Sequence, residues 1–478
     1  MLHSPRAYLE SLSDQVIALA IVLLAAMFYV VPWPIGYLPC LMVVAFLSYQ
    51  RLDLALLLVP LFVPAFMQPK HLGSKQFAPS EIFLVVDVAV AALYLLGRPR
   101  IQEDWQRVRH SPFLWPLLLL LVAATASTLF AVDRHHALRA YEQRIVEPMV
   151  FFGLLLAYGG RRSLWWLYGA SLVAAGVLSS GIGLGQFITH RDLSQTPGST
   201  IQRIQALYGS PDNLGLLLDR VIPLWLVSWL VIGRSRVRRT GWAILGAVLL
   251  VALGLTYSRG AWLAVAAGCL LIVAVAFPWG RWLALGCVLL ALAGLAFESP
   301  ALARVLQTGH SGTVQQRLRI WSSSLHMLRD HRILGIGPDN FVHYYAPSEP
   351  PITQRYILDC GRGLSYIEPG ALQEPCTSHP HDEFLDFWLS TGLLGLVAYL
   401  WLQVVFWRLA WQLHRRSLLG ADRAVWLGCA GAMLAAVLHG LVDNAYFLVD
   451  LATIFWLLCG LLSLLVTESA QTLRPAPA

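Results

Sequence analysis

The sequence predicts an all-α membrane protein, a polytopic bundle of 12–14 transmembrane helices with one large loop outside the bilayer. Of the 478 residues, 57% are hydrophobic and only 13% are charged, whereas a soluble domain carries about 25% charged residues. Long apolar runs recur along the chain, and backbone polar groups in hydrocarbon must be satisfied internally, so each run is expected to be a helix. Between these runs, Lys and Arg occupy short segments, as in proteins that use charge to set their orientation.

The predicted spans follow the apolar runs. The first run begins near Val16 and indicates a spanning helix rather than a cleaved signal peptide. The second and third are short, which gives the range of 12–14. The spans are 15–31, 35–50, 54–67, 80–97, 113–131, 142–159, 163–188, 211–232, 240–257, 260–277, 281–297, 384–410, 423–442 and 446–467.

Charge predicts that both termini lie in the cytoplasm. With that orientation, the cytoplasmic segments hold 18 Lys and Arg residues and the opposite short loops hold 8. The chain then divides into N-terminal helices (1–210), central helices (211–297), an outer, periplasmic loop (298–383) and C-terminal helices (384–478). The loop contains Cys360 and Cys376. In an oxidising compartment these predict a disulfide, with two free thiols as the alternative.

The net charge of +7 does not indicate a nucleic-acid-binding protein, because the basic residues are spread over short loops. Only Lys70 and Lys75 are lysines among the 34 basic residues. This excess of arginine over lysine fits phosphate recognition. Genomic base composition would explain the excess equally well.

Two histidines lie just before an apolar helix in "SHPHDEF", at 378–384. Imidazole titrates near neutral pH and can accept a proton from an attacking hydroxyl, so His381 is the candidate general base and His379 its rival. Asp382 and Glu383 would suit the first helical turn electrostatically, and a carboxylate there could also orient an imidazole. The alternative is a loop histidine with only a structural hydrogen bond. The spacing predicts no metal site.

Arginines form the second group of candidates, because charges within or beside a membrane are costly and often functional. Arg259 lies in a tight turn between spans, and Arg220 lies inside a span directly after Asp219. Each has two interpretations. Arg259 either binds phosphate or extends to lipid headgroups, and Arg220 either binds phosphate or forms an internal ion pair with Asp219.

Further polar residues occur on the same outer side. Arg317 and Arg319 begin an amphipathic pattern whose predicted apolar side is Ile320, Trp321, Leu325 and Leu328. These arginines and Arg203 are either ligands or a solvated face. Asp443 and Asn444 form a polar turn between the last two spans and are either site residues or caps. Polar groups gathered at one face favour surface chemistry over a transporter or flippase, whose sites lie near the midplane.

Four stretches, in order, resemble the O-antigen ligase and polymerase superfamily between residues 205 and 400. "GSPDNLGLLL" is similar to the Pro-Asn start of a span, and "TYSRGAWLAVAAG" to a Ser-Arg-Gly turn. "RLRIWSSSLHMLRDHRILGIGPDNF" is similar to an Arg…Trp helix followed by a Gly-x-Gly-x-x-Asn-Phe turn. "HDEFLDFWLSTGLLG" resembles the signature of a histidine, a neutral polar residue, nine residues and Gly-x-x-Gly. It departs at Asp382, where the family usually has Asn, Ser or Gln.

The resemblance implies a GT-C-like fold and a glycosyltransferase that needs neither cofactor nor metal. It implies that His381 is the essential histidine and that Arg259 and Arg317 are the essential arginines, with a looser match for Arg220 and Arg203. The donor would be a glycan on undecaprenyl diphosphate, and the acceptor a sugar hydroxyl of lipid A–core at the periplasmic face of the bacterial inner membrane. The reaction would invert the anomeric carbon. A polymerase using the same donor is the main alternative, followed by a protein O-glycosyltransferase.

Overall fold

The computed structural model describes residues 13–73, 75–97, 101–195, 201–231, 235–296, 312–345, 379–416 and 418–471, which form a helical bundle. The predicted bridge between Cys360 and Cys376 lies outside these residues. Eight described helices are long and apolar enough to span a bilayer: Pro79–Leu96, Arg162–Thr189, Pro211–Val231, Arg236–Leu255, Arg259–Ala276, Glu383–Arg415, Gly420–Gly440 and Val449–Glu468. The predicted fold class, a polytopic helical membrane protein, is therefore confirmed.

The helices are numbered in chain order: α1 Asp14–Val30, α2 Pro34–Gln50, α3 Leu52–Ala55, α4 Leu58–Phe62, α5 Pro79–Gly97, α6 Ile101–Arg109, α7 Leu114–Leu129, α8 Arg134–Tyr141, α9 Glu147–Tyr158, α10 Trp165–Thr189, α11 Pro211–Val231, α12 Arg236–Leu255, α13 Arg259–Ala276, α14 Gly280–Ala296, α15 Gly312–Asp330, α16 Phe341–Tyr345, α17 Glu383–Arg415, α18 Gly420–Gly440 and α19 Val449–Gln471. Two short antiparallel pairs join β1 (Lys70–Leu72) to β2 (Lys75–Phe77) and β3 (Ser194–Gln195) to β4 (Gln202–Arg203).

Several predicted spans are shorter in the structure than the bilayer requires. Five apolar helical stretches have 10–17 residues: Asp14–Val30, Pro34–Gln50, Leu52–Met67, Leu114–Leu129 and Gly280–Leu290. A straight span needs about 20 residues. The span predicted at 142–159 is also divided, because a π-helical turn at Glu142–Val146 precedes α9. The total number of crossings therefore stays a prediction.

Small residues allow the central helices to approach closely. α11 packs on α13 and α18, and α13 also packs on α18. A Cβ at Gly268 of α13 would lie 2.5 Å from the carbonyl oxygen of Gly431 in α18. Lipid tails provide no hydrophobic force between helices, so such close backbone packing is a main source of association. α19 is the most buried of the eight spans, and this central packing fixes the turn that precedes it.

The long helix α17 is interrupted at Gly392, and a loop docks into the interruption. Gly392 has φ 72° and ψ −178°, a conformation essentially restricted to glycine. The amide of Ile336 donates to the carbonyl of Leu389 at 2.6 Å, and the amide of Leu393 donates to the carbonyl of Ile333 at 3.2 Å. Gly335, with φ 74°, lies so close that a Cβ would meet the Leu389 carbonyl. These bonds join the loop after α15 to the helix after the histidines.

The same loop is anchored on its other side by Asn340. Its side-chain oxygen accepts from the Asp133 amide at 2.9 Å, and its side-chain amide donates to the Asp133 carbonyl at 3.2 Å. Gly337, with φ 94°, packs against Ala131. The Gly-x-Gly-x-x-Asn stretch therefore connects α17 to the junction between α7 and α8.

The predicted amphipathic helix is α15, but its buried face differs in part from the prediction. Ile320 and Leu328 are buried, as expected, whereas Leu325 is 52% exposed. Ser324 and Met327 complete the buried face instead, at the i, i+4, i+7 and i+8 positions of one helical stripe. The prediction for Leu325 was wrong because the buried stripe is rotated about the helix axis toward Ser324 and Met327.

We expect Gly392→Ala to destabilise the protein. An alanine would be forced into a glycine conformation, at a cost of about 1–3 kcal/mol, and its Cβ would collide with the Ile333 carbonyl. The measurement is the thermal melting temperature in detergent. Gly286→Ala is the control, since a Cβ there meets nothing within 4 Å. Equal melting temperatures for the two variants would contradict the interlocking of Gly392 with the loop.

Candidate active site

A single carboxylate, Asp443, lies at the centre of the polar cluster at one end of the bundle. Its Oδ1 is 2.9 Å from Nδ1 of His381 and 3.5 Å from Nε2 of His379, and it accepts from the Asn444 amide at 2.8 Å. Nη2 of Arg317 is 3.9 Å from the other oxygen. The Asn444 side chain caps the turn by accepting from the amides of Tyr446 and Phe447. Capping thus belongs to Asn444, and Asp443 faces the histidines.

Asp443 is buried but charged. Burial by itself would raise the pKa of this carboxyl, but hydrogen bonds from His379 and His381 outweigh burial and hold the pKa well below its ordinary value. A charged Oδ1 can only accept, so the His381 nitrogen that faces it carries a proton. The neutral imidazole then has its lone pair on Nε2. His381 is therefore held in the tautomer that a general base needs.

Asp382, which follows His381 in the chain, and Asp443, which contacts the His381 ring, have different roles. His381 has φ 51°, a left-handed conformation that is uncommon for a residue with a side chain. Asp382 is the N-cap of α17 and accepts from the Leu385 amide at 2.8 Å. Burial raises the pKa of Asp382. The departure from the family pattern therefore falls on a helix cap, and Asp443 is the carboxylate that orients the imidazole.

Arg317 extends from α15 toward Asp443 and is available for an anion. Its Nη1 is buried and has no hydrogen-bond partner among the described residues, although a buried donor without a partner costs about 1–3 kcal/mol. The 3.9 Å approach to Asp443 is an ion pair, longer than a hydrogen bond. Arg317 thus lies beside the carboxylate that the histidines contact. The side chain of Arg319 lies outside the described residues.

Arg259 begins α13 beside the turn that carries Asp443, and it is exposed. The glycine that follows explains this proximity. A Cβ at Gly260 would lie 2.7 Å from Nε2 of His439 and 3.5 Å from Val442, so only glycine lets the Ser-Arg-Gly turn pack against the end of α18. His439 is buried, with Nδ1 2.7 Å from Asp219. Sequence analysis did not select His439, and its position within a span was the signal that could have identified it.

Comparison with protein families gives one match over this part of the chain. Residues 243–400 match the family model described as O-antigen ligase. This match covers about a third of the chain and supports the resemblance to the O-antigen ligase and polymerase superfamily. Together with the spanning helices, the match supports a membrane enzyme of the O-antigen ligase and polymerase type, in agreement with the sequence resemblance. No curated protein matches the chain.

The family region contains most, but not all, of the clustered residues. Arg259, Arg317, His379 and His381 fall within it, whereas Asp443 lies beyond its end. The family match therefore does not cover the carboxylate on which the geometry of the candidate site depends. Its contribution is visible only after folding, since Asp443 is 62 positions from His381.

The contacts of Arg220 favour an ion pair over phosphate binding. This residue is 1% exposed, and its guanidinium donates to the Asp219 carboxylate at 2.6 Å, to the Ala445 carbonyl at 2.6 Å and to the Leu216 carbonyl. The ion-pair interpretation is therefore the one that the geometry supports. Because Ala445 is two residues after Asp443, Arg220 anchors the turn that carries Asp443.

Arg203 is likewise committed to protein groups. Its Nε donates to the Thr256 carbonyl at 2.6 Å and its Nη2 to Asp212 at 2.7 Å. Thr256 is three residues before Arg259, so Arg203 supports the Ser-Arg-Gly turn. Its predicted role as a diphosphate ligand is not supported by these contacts.

Arg144 is an arginine near the site that sequence analysis did not select. It lies in the π-helical turn Glu142–Val146 and pairs with Asp339 of the docked loop at 3.1 Å. π-Helical turns are frequent at functional sites, and this one supports the loop that follows α15. The sequence predicted no metal site, but among the described residues His379, His381 and Asp443 form a group that could hold a metal ion, with ligand atoms within 4.8 Å of one another.

We expect Arg220→Gln to reduce stability rather than donor binding. The substitution leaves Asp219 as a buried charge that keeps only His439, and breaking a buried ion pair typically costs about 3–5 kcal/mol. Thermal melting in detergent and the donor KM should be measured together, with the exposed Arg238→Gln as control. Unchanged melting with a raised donor KM would restore the phosphate-binding role.

Proposed function

We propose that the protein transfers a glycan from undecaprenyl diphosphate to a sugar hydroxyl of lipid A–core. The observation that carries this proposal is the pairing of His381 with the charged Asp443 beside Arg317, whose buried Nη1 lacks a partner among the described residues. This arrangement supplies a base and a cation side by side at the end of a membrane bundle. The match of residues 243–400 to the O-antigen ligase family supports the reaction type.

In the proposed reaction, Nε2 of His381 accepts the proton of the acceptor hydroxyl as its oxygen attacks the anomeric carbon. The bond from that carbon to the diphosphate oxygen breaks, and the bond to the acceptor oxygen forms on the opposite face. This single displacement inverts the anomeric centre. A positioned general base contributes about 10²–10⁴-fold to rate. Asp443 stabilises the imidazolium that forms, because opposite charges at hydrogen-bond distance attract.

The leaving diphosphate takes the electron pair of the broken bond, and its charge is held by Arg317 and Arg259. Guanidinium suits this role because it remains charged and can bind two phosphate oxygens at once. Cations fixed in place before the reaction stabilise the transition state without reorganisation. The proposed step uses no metal and no nucleotide.

We place the enzyme in the bacterial inner membrane with both termini in the cytoplasm. The distribution of Lys and Arg supports this orientation. The structure supports a site at one face, because α13, α17 and the turn after α18 meet at the same end of the bundle. This end would be periplasmic, where the lipid-linked donor and the core oligosaccharide are both accessible.

We expect His381→Ala to reduce transfer by at least about 10²-fold, since the general base is lost. Donor binding should persist, because the arginines remain. The measurement is transfer in membranes with matched protein levels, and His326→Ala is the control because His326 is partly exposed and its described hydrogen bond is to Ser322 of its own helix. Retention of full activity by His381→Ala, with loss in His379→Ala, would assign the base to His379 instead.

Deletion in the native host distinguishes the acceptors. For a ligase, lipopolysaccharide gels should show bare core, with polymer accumulating on the lipid carrier. Core capped by a single repeat would identify a polymerase. Normal lipopolysaccharide with loss of a glycosylated protein would identify protein transfer, and carrier-linked glycan facing the cytoplasm would identify a flippase.

A further inference from the structure

Two imidazoles face one carboxylate oxygen at the candidate site. Nδ1 of His381 and Nε2 of His379 are 2.9 Å and 3.5 Å from Oδ1 of Asp443, and the three atoms lie within 4.8 Å of one another. The imidazole rings are T-shaped, with centroids 4.3 Å apart. The proposed transfer uses only His381, so the convergence of His379 on the same oxygen needs a separate explanation.

The spacing of these atoms is close to that of zinc ligands. Zn²⁺ binds histidine nitrogen and carboxylate oxygen at about 2.0–2.2 Å with tetrahedral angles, which places ligand atoms about 3.3–3.6 Å apart. The His379 distance of 3.5 Å lies within this range, and the His381 distance of 2.9 Å is shorter than the range. The three ligand atoms already lie within 4.8 Å of one another, so binding an ion would require the side chains to adjust without refolding of the elements that carry them.

We propose that His379, His381 and Asp443 form an inhibitory site for Zn²⁺. This inference rests on the proposed function, because it takes His381 as the general base. Two neutral imidazoles and one carboxylate are a common donor set for zinc, and three protein ligands leave a fourth position for water. His379 provides the second nitrogen that makes the set a chelate rather than a single weak contact.

Inhibition follows from the position of one proton. In the active tautomer, Nδ1 of His381 carries the proton and Nε2 holds the lone pair. Zn²⁺ bound at Nδ1 takes that nitrogen's lone pair, and the single proton of the neutral ring moves through solvent to Nε2. That nitrogen then cannot accept a proton from a hydroxyl. Metal binding and general-base catalysis therefore exclude each other at His381.

Arg317 opposes the ion and limits its affinity. Its guanidinium is 3.9 Å from the second oxygen of Asp443, and the like charges of arginine and zinc repel in a partly buried site. The site is thus expected to load reversibly when zinc is plentiful, unlike a closed structural site with four protein ligands.

The test begins with binding, independently of activity. Purified protein in detergent is stripped with a chelator and titrated with Zn²⁺ by calorimetry. We expect one equivalent to bind, and His379→Gln to weaken binding by at least about tenfold, since even the loss of an outer partner costs 10–100-fold. His136→Gln is the matched control, because His136 also pairs with an aspartate, Asp133, at 2.8 Å outside the cluster. Equal affinity in wild type and His379→Gln would overturn the site.

The second arm measures transfer in membranes as zinc is added. We expect zinc to inhibit transfer and a chelator to reverse the inhibition. With the rate of each protein expressed relative to its own metal-free rate, the inhibitory zinc concentration should be at least tenfold higher for His379→Gln than for wild type. Zinc binding without inhibition would overturn the inhibitory role. Absence of binding, with transfer still abolished in His381→Ala, would remove the zinc site and leave the proposed function intact. Full activity of His381→Ala would instead remove the proposed function, while calorimetry still reports on the site.

Discussion

The candidate site depends on one buried negative charge. Asp443 accepts from two imidazoles and from a backbone amide, and it also faces a guanidinium. Without these donors a carboxylate so deeply buried would take up a proton. With them it stays charged, and a charged acceptor dictates which nitrogen of His381 is protonated. The reactivity proposed for His381 is therefore set by a residue in another turn of the chain.

Glycines make this meeting of distant segments possible, each for a definite reason. Gly392 opens α17 so that the loop after α15 can bond to it, which fixes the helix carrying Arg317 against the helix that follows His381. Gly260 leaves room for His439 beside the turn carrying Arg259. Motif glycines that appear unconnected in sequence are thus the contact points between the elements of one site. Arg220 of α11 also donates a hydrogen bond to the carbonyl of Ala445, in the turn that carries Asp443.

Much of the fold could be predicted from the sequence, because hydrophobic runs and the cost of unpaired backbone groups in lipid leave few alternatives. His381 and Arg317 could also be predicted, since each lies in a recognisable local pattern. For Asp443 and Arg220 the sequence left two interpretations each, because their roles are decided by partners that are distant in sequence. A charged residue inside a span is expected to have a role, but only its contacts in the structure show whether that role is to bind a ligand or to stabilise the fold.

The long ion pair between Arg317 and Asp443 fits a guanidinium that changes partners during the proposed reaction. At 3.9 Å the pair has the attraction of opposite charges without a hydrogen bond, and Nη1 lacks a partner among the described residues. An arriving diphosphate could satisfy that donor at little cost to the existing contact. As Arg317 turned toward it, less positive charge would face Asp443, and the carboxylate would stabilise the imidazolium of His381 more strongly. Donor binding would thereby strengthen the interaction between Asp443 and the His381 imidazolium only when there is a leaving group to displace.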